Sequence, residues 1–172
     1  MTNDELLIDA FDRVRQGVGR VLDGLAPAAV TWRPDPAANS IGWRAWHIAR
    51  VQDVQVAAIA ATEQVWRSGG WADRLALPYE ADASGYGQDA AEVGRFPAVD
   101  PTLLTGYLDA AHAATVAAIT ACQDADLARI VDHRFDPPVT LGVRLVSILA
   151  DDLQHLGQAA YLRGMAERAG VA

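Results

Sequence analysis

Four long segments with the hydrophobic period of an α-helix set the main limit on how this chain can fold. The segments cover residues 3–23, 40–67, 101–122 and 140–168, within about two residues at each end. Apolar residues recur there at steps of three and four, so each helix has one apolar face to bury. Plausible N-cap residues stand at the start of all four: Thr2 or Asn3, Ser40, Asp100 and Thr140. The sequence therefore predicts an all-α four-helix bundle, formed as a single domain over residues 1–172.

Long connections separate the second helix from the third and the third from the fourth. The first connection, residues 68–99, is rich in glycine and proline, and residues 89–95 within it predict one short helix. Connections of this length in a compact domain are usually functional or carry small elements of their own. In the second connection, residues 123–139, the segment 128–131 favours a brief extended piece.

The charge of the chain limits its possible binding partners, and its cysteine content bears on its location. The chain has a net charge of −8 and no run of basic residues, so we expect neither nucleic acid nor an anionic membrane as a partner. The most apolar stretch, residues 41–61, contains four ionisable side chains, which argues against a membrane span. Cys122 is the only cysteine, and the N-terminus does not have the pattern of a signal peptide, so we expect a cytoplasmic protein.

Two histidines on faces that are otherwise apolar suggest a metal site. His47 lies on the apolar stripe of the second helix and His155 on that of the fourth. Asp151 stands four residues before His155 and Asp152 three before it, so either carboxylate can share a face with the imidazole. Buried ionisable groups are costly unless they are paired or bind a metal. The spacing thus permits a mononuclear His-His-carboxylate site with open positions, and it leaves the choice of aspartate open.

Simpler interpretations remain open for each of these residues, because a single histidine on an apolar face is more often a core residue than a ligand. His112 and His133 carry weaker signals, and Cys122 next to acidic residues predicts a packing role. The tryptophans around His47 could wall a pocket. We take three residues as candidate substrate contacts: Trp43, Trp46 and Arg50. For Arg50 the competing interpretation is an ion pair with Asp53 or Glu63.

Two motifs carry a resemblance to a known family. The segments Trp46-His47-Ile48 and residues 149–164 resemble the DinB-like superfamily of metal-binding four-helix bundles. The actinobacterial branch that includes the metal-binding domain of mycothiol-dependent maleylpyruvate isomerase looks most similar. The resemblance implies His47 and His155 as ligands, with Asp151 where the mycothiol enzyme has a glutamate. It also implies a zinc or nickel ion and a homodimer.

Three functions are compatible with such a site. The first is transfer of a low-molecular-weight thiol, with mycothiol as the expected cosubstrate, to a small electrophile. A divalent ion with open positions deprotonates a coordinated thiol and makes it a nucleophile. The second is hydrolysis, since the same ion can activate water. The third is a non-enzymatic metal-binding stress or interaction protein, whose coordination sphere would be closed by further protein ligands.

Overall fold

The computed structural model describes residues 1–171, and the four long helices of its bundle are α1 (Asn3–Leu22), α3 (Ile41–Ala60), α7 (Pro101–Thr120) and α8 (Leu141–Arg168). Short helices lie between them: α2 (Pro27–Val30), α4 (Val65–Ser68), α5 (Trp71–Leu75) and α6 (Ala90–Val93). The expected caps are present, because the side chains of Thr2, Ser40, Asp100 and Thr140 each accept a hydrogen bond from the first turn of the helix that follows. The all-α prediction is confirmed.

The packing of the four long helices follows from their two core clusters. One cluster joins the C-terminal halves of α1 and α8 to the N-terminal halves of α3 and α7, and the other joins the opposite halves. Helices α1 and α8 therefore run parallel to each other and antiparallel to α3 and α7. Each of α1 and α3 packs against both α7 and α8. Since α3 and α7 are parallel, the chain between them has to return along the bundle, which accounts for the length of that connection.

The second long helix is shorter than the sequence predicts. It ends at Ala60 instead of Arg67, and Ala61 takes a left-handed conformation with φ of 52°. The reason is a tertiary contact: the buried carboxylate of Asp53 accepts hydrogen bonds from the backbone N–H groups of Val65 and Trp66, both at 2.8 Å. These bonds start α4 and turn the chain back across α3.

The smaller predicted elements are present in shortened form. The short helix expected at residues 89–95 is α6, and Asp89 caps it. A 3-10 turn at Asp124–Ala128 leads into strand β1 (Ile130–Asp132), which pairs in antiparallel fashion with β2 (Val139–Thr140) just before α8. Within residues 1–171, no helix has the length and apolar character needed to cross a membrane.

Candidate metal centre

His47, Asp151 and His155 come together where α3 packs against α8. Nε2 of His47 lies 3.7 Å from Oδ2 of Asp151, and Nε2 of His155 lies 3.7 Å from Oδ1 of the same carboxylate. One possible ligand atom from each residue lies within 4.8 Å of the others. Asp151 and His155 meet because they are one turn apart on α8. His47 joins them because α3 runs antiparallel beside α8.

The imidazole of His47 is held by a backbone carbonyl and by an aromatic ring. Its Nδ1 lies 2.5 Å from the backbone carbonyl oxygen of Ser84, which can only accept, so Nδ1 carries the proton. The lone pair is therefore on Nε2, which faces Asp151. The ring of Trp43 stacks on the imidazole with centroids 4.8 Å apart and an interplanar angle of 13°. Burial lowers the pKa of His47 and keeps the ring neutral.

His155 is also kept neutral, but its second nitrogen has an unusual neighbour. Burial, followed by the adjacent imidazole of His47, lowers the pKa of His155 to about 4. Nδ1 of His155 lies 2.9 Å from Nη1 of Arg44, and a guanidinium can only donate. In this arrangement Nδ1 accepts that hydrogen bond. Arg44 also donates to Oε1 of Gln158, which places a carbonyl acceptor next to His155.

The two aspartates that the sequence could not separate have different surroundings. Oδ2 of Asp151 is buried and has no hydrogen-bond partner in the described chain. Asp152 lies inside the bundle instead, where Oδ2 accepts from Nε2 of Gln52 at 2.8 Å and burial raises the pKa of the carboxyl group well above its usual range. The structure thus groups Asp151, and not Asp152, with the two imidazoles.

The three side chains fit a divalent metal ion. Donor atoms that sit about 2.1 Å from one ion are roughly 3 to 4 Å apart, close to the 3.7 Å separations found here. Two neutral imidazoles and one carboxylate suit zinc, nickel and similar ions. The unpartnered oxygen of Asp151 is a buried acceptor that such an ion would satisfy. His47 would bind through Nε2, with the Ser84 carbonyl oriented as metal-binding histidines usually require.

The other candidate ligands lie elsewhere. Nε2 of His112 lies 2.9 Å from Oδ1 of Asp12, on the side of the bundle where α1 meets α7. His133 is exposed in the segment between β1 and β2. Cys122 is half-buried at the end of α7, and its thiol contacts the carbonyl of Ala118. None of these residues belongs to the group of three, so the group keeps open positions for another ligand.

A cavity of about 220 Å³ opens beside the candidate site, between α3 and α8. His47 and Asp151 lie at one end of it, and Arg144 lies further along α8. Ser84 and Tyr86, from the connection between α3 and α7, cover part of it. Ser84 and Arg144 have no signature in the sequence, because their positions depend on how the long connection and β1 fold against α8.

The residues expected to contact substrate do not line this cavity. Trp46 is buried in the core. Trp43 stacks on His47, and Nε1 of Trp43 donates a hydrogen bond to Oε1 of Gln88. The side chain of Arg50 is completely buried.

The side chain of Arg50 instead fixes the segment between α3 and α7 to the bundle. Its Nε donates to the carbonyl of Ala83 at 3.0 Å, and its Nη1 donates to Tyr107 and Gln64. The ion pair with Asp53, at 3.5 Å, is present but buried and not at the surface. Ala83 directly precedes Ser84, so Arg50 holds the backbone that orients His47.

Comparison with known proteins agrees with this geometry. The sequence model of the DinB superfamily matches residues 10–159. The crystal structure of a conserved protein from Enterococcus faecalis is similar with a TM-score of 0.89 and 29% sequence identity, over 95% of this chain and 96% of that one. No curated protein matches the sequence. The fold and candidate site are those of a helical bundle with a possible metal-binding triad. The chain belongs to the DinB superfamily.

Proposed function

We propose that this protein binds a divalent metal ion, zinc or nickel, through His47, Asp151 and His155, and transfers a low-molecular-weight thiol to a small electrophile. The observation that carries the proposal is the group of three ligand atoms within 4.8 Å of one another, with a cavity beside it. The resemblance to the mycothiol-dependent branch of the family supports a mycothiol-like thiol as the nucleophile. It also supports a homodimer, and the single cysteine supports a location in a reducing cytoplasm.

The roles of the side chains follow from their protonation states. An ion bound to two neutral imidazoles and one carboxylate retains net positive charge and lowers the pKa of a coordinated thiol. With a thiol bound there, its proton would pass to solvent and its sulfur would bond to the electrophilic carbon. The electron pair of the bond broken at that carbon would depart with a leaving group or, in an addition, would move to the neighbouring atom, which would take a proton. Ser84 fixes the ring of His47 during these steps, and Trp43 shields it from water.

Metal content is the first test. We expect near-stoichiometric zinc or nickel in the wild-type protein, measured by plasma mass spectrometry after reconstitution. The Asp151→Asn variant should lose the metal, as should His47→Ala and His155→Ala. Asp152→Asn is the matched control, because this carboxyl group faces Gln52 inside the bundle and should not affect metal content. Absence of metal from wild type after reconstitution with either ion would refute the site.

Activity is tested next, with the metal-loaded protein and a panel of electrophiles. Formation of a thiol conjugate that depends on Asp151 supports the transfer reaction. Turnover of esters or amides without added thiol would show instead that the open position activates water. Metal binding without either reaction would leave a non-enzymatic metal-binding protein.

A further inference from the structure

The cavity beside the candidate metal centre has a second fixed charge at its far end, the guanidinium of Arg144. Arg144, Ile148, Asp151 and His155 recur on α8 at steps of three and four, so they share one face. Arg144 lies two turns before Asp151, roughly 10 Å along the helix axis. Both residues line the cavity, together with His47 and Ser84.

Arg144 is held in place by a neighbour that does not neutralise it. Its Nη2 donates to Oδ2 of Asp132 at 2.7 Å, and only 16% of its side chain is exposed. The same carboxylate also accepts three hydrogen bonds from Arg134, through the backbone N–H, Nε and Nη2. One carboxylate thus faces two guanidinium groups, and the cluster keeps a net charge of +1.

The remaining donors of Arg144 are available to a ligand. The only protein hydrogen bond found for this guanidinium within residues 1–171 is the one to Asp132, and no buried nitrogen of Arg144 is left without a partner. A guanidinium has five N–H donors, and those not used are therefore in contact with open space. A cation that is mostly buried, fixed by β1 and part of a cavity lining is a good site for a carboxylate.

We propose that Arg144 is a specificity-determining residue that binds an anionic group, most simply a carboxylate, on the small molecule occupying this cavity. The reacting end of that molecule then lies at His47 and Asp151, and its anionic end lies two helical turns away. The position of the reacting end rests on the proposed function. The binding of the anion by Arg144 does not. In a chain of net charge −8, such a cationic end selects anionic ligands over neutral ligands of the same shape.

The test uses mercaptohexanoate, a six-carbon chain with a thiol at one end and a carboxylate at the other. Its extended length is suited to the separation between Asp151 and Arg144. Mercaptohexanamide is the neutral comparison. We expect the cobalt-loaded wild-type protein to bind the acid roughly tenfold more tightly than the amide, as measured by calorimetry. Arg144→Gln should bind the two compounds equally.

Arg13→Gln is the control for the loss of one positive charge, because Arg13 pairs with Asp9 on α1, is 73% exposed and does not line the cavity. This variant should keep the preference for the acid. Equal preference in wild type and Arg144→Gln, or loss of preference in both variants, would overturn the proposal.

The absorption spectrum of cobalt separates this inference from the proposed function. Coordination of the thiolate gives a sulfur-to-cobalt charge-transfer band, which should appear in Arg144→Gln as in wild type. A preference for the acid without that band would refute thiol coordination and leave the anion site supported. A band without any preference for the acid would refute the anion site alone.

Discussion

Arg44 and a bound metal ion place opposite demands on Nδ1 of His155. In the structure, Arg44 donates a hydrogen bond to this nitrogen, which must then carry a lone pair. When Nε2 binds a metal, the proton of a neutral imidazole lies on Nδ1. A protonated Nδ1 cannot face an N–H of Arg44, and it needs an acceptor instead. Oε1 of Gln158 is the adjacent candidate, since Arg44 already contacts it.

Removal of the Arg44 guanidinium should therefore strengthen metal binding. In Arg44→Met, the competing donor and a nearby positive charge both disappear, while the side chain keeps a similar length. We expect the zinc dissociation constant to fall about fivefold, measured by competition with a chromophoric chelator. Gln158→Leu should act in the opposite direction, because it removes the acceptor. Weaker zinc binding in Arg44→Met would mean that Arg44 orients His155 and does not compete with the metal.

The lowered pKa values of His47 and His155 determine how the stability of the metal-free protein depends on pH. Burial lowers the pKa of both, to about 4 for His155, whereas histidines of the unfolded chain titrate near 6.5. Between these values the unfolded state binds more protons than the folded state. The free energy of unfolding should therefore fall as the pH decreases from about 6.5 to about 4.

Urea denaturation of the metal-free protein across this pH range measures the effect. The His155→Gln variant is the comparison, since it removes one of the buried groups that resist protonation. Its free energy of unfolding should depend less steeply on pH than that of wild type. An identical pH dependence in the two proteins would show that His155 does not contribute to it.

At the scale of elements, the close approach of the long connection to α3 depends on Gly85. This residue has φ of 92°, and a Cβ atom there would lie 2.7 Å from Nδ1 of His47 and 2.8 Å from Cζ2 of Trp43. Any side chain would push the connection away from the helix. The carbonyl of Ser84 would then no longer be in place to accept the hydrogen bond from His47.

Gly85→Ala should therefore weaken zinc binding by about tenfold or more, the usual effect of losing a group that orients a metal ligand. Gly87→Ala is the matched control, because Gly87 also has a positive φ, of 76°, but no atom lies within 4 Å of its Cβ position. Both variants incur backbone strain of about 1 kcal/mol, and only the first disturbs His47. The result is measured by zinc titration, with circular dichroism to confirm folding. Equal zinc affinities in the two variants would contradict this role for Gly85.

The same contrast between local and long-range contacts separates what the sequence predicts from what it does not. The caps Ser40 and Thr140 depend on residues three apart, and the sequence predicts both. Asp151 lies one turn from His155, so the spacing also predicts that a carboxylate faces this imidazole, although it leaves Asp152 as the alternative. The end of α3 was mispredicted because Asp53 bonds to backbone groups twelve and thirteen residues away. The contact of the Ser84 carbonyl with His47 spans 37 residues and uses a backbone atom, which has no signature in the sequence.

At the scale of the whole molecule, α8 has a second face besides the one that bears the candidate ligands. The residues of this face are small or apolar, recur at helical spacing and include no charged side chain: Val143, Val146, Ala150, Leu153, Gly157, Ala160, Tyr161 and Gly164. The four largest of them have 48–69% of their surface exposed. A continuous apolar stripe on a 28-residue helix is typical of a protein interface.

We expect this stripe to form the interface of a homodimer, in which the α8 helices of two copies pack against each other. Leu153→Arg places a charge at the centre of the stripe and should convert the dimer to a monomer, as measured by light scattering after size-exclusion chromatography. Ala113→Arg, on an exposed position of α7, should remain dimeric. Because Leu153 points away from Asp151, metal content should be the same in both variants. A monomeric wild-type protein, or a dimer unaffected by Leu153→Arg, would exclude this stripe as the interface.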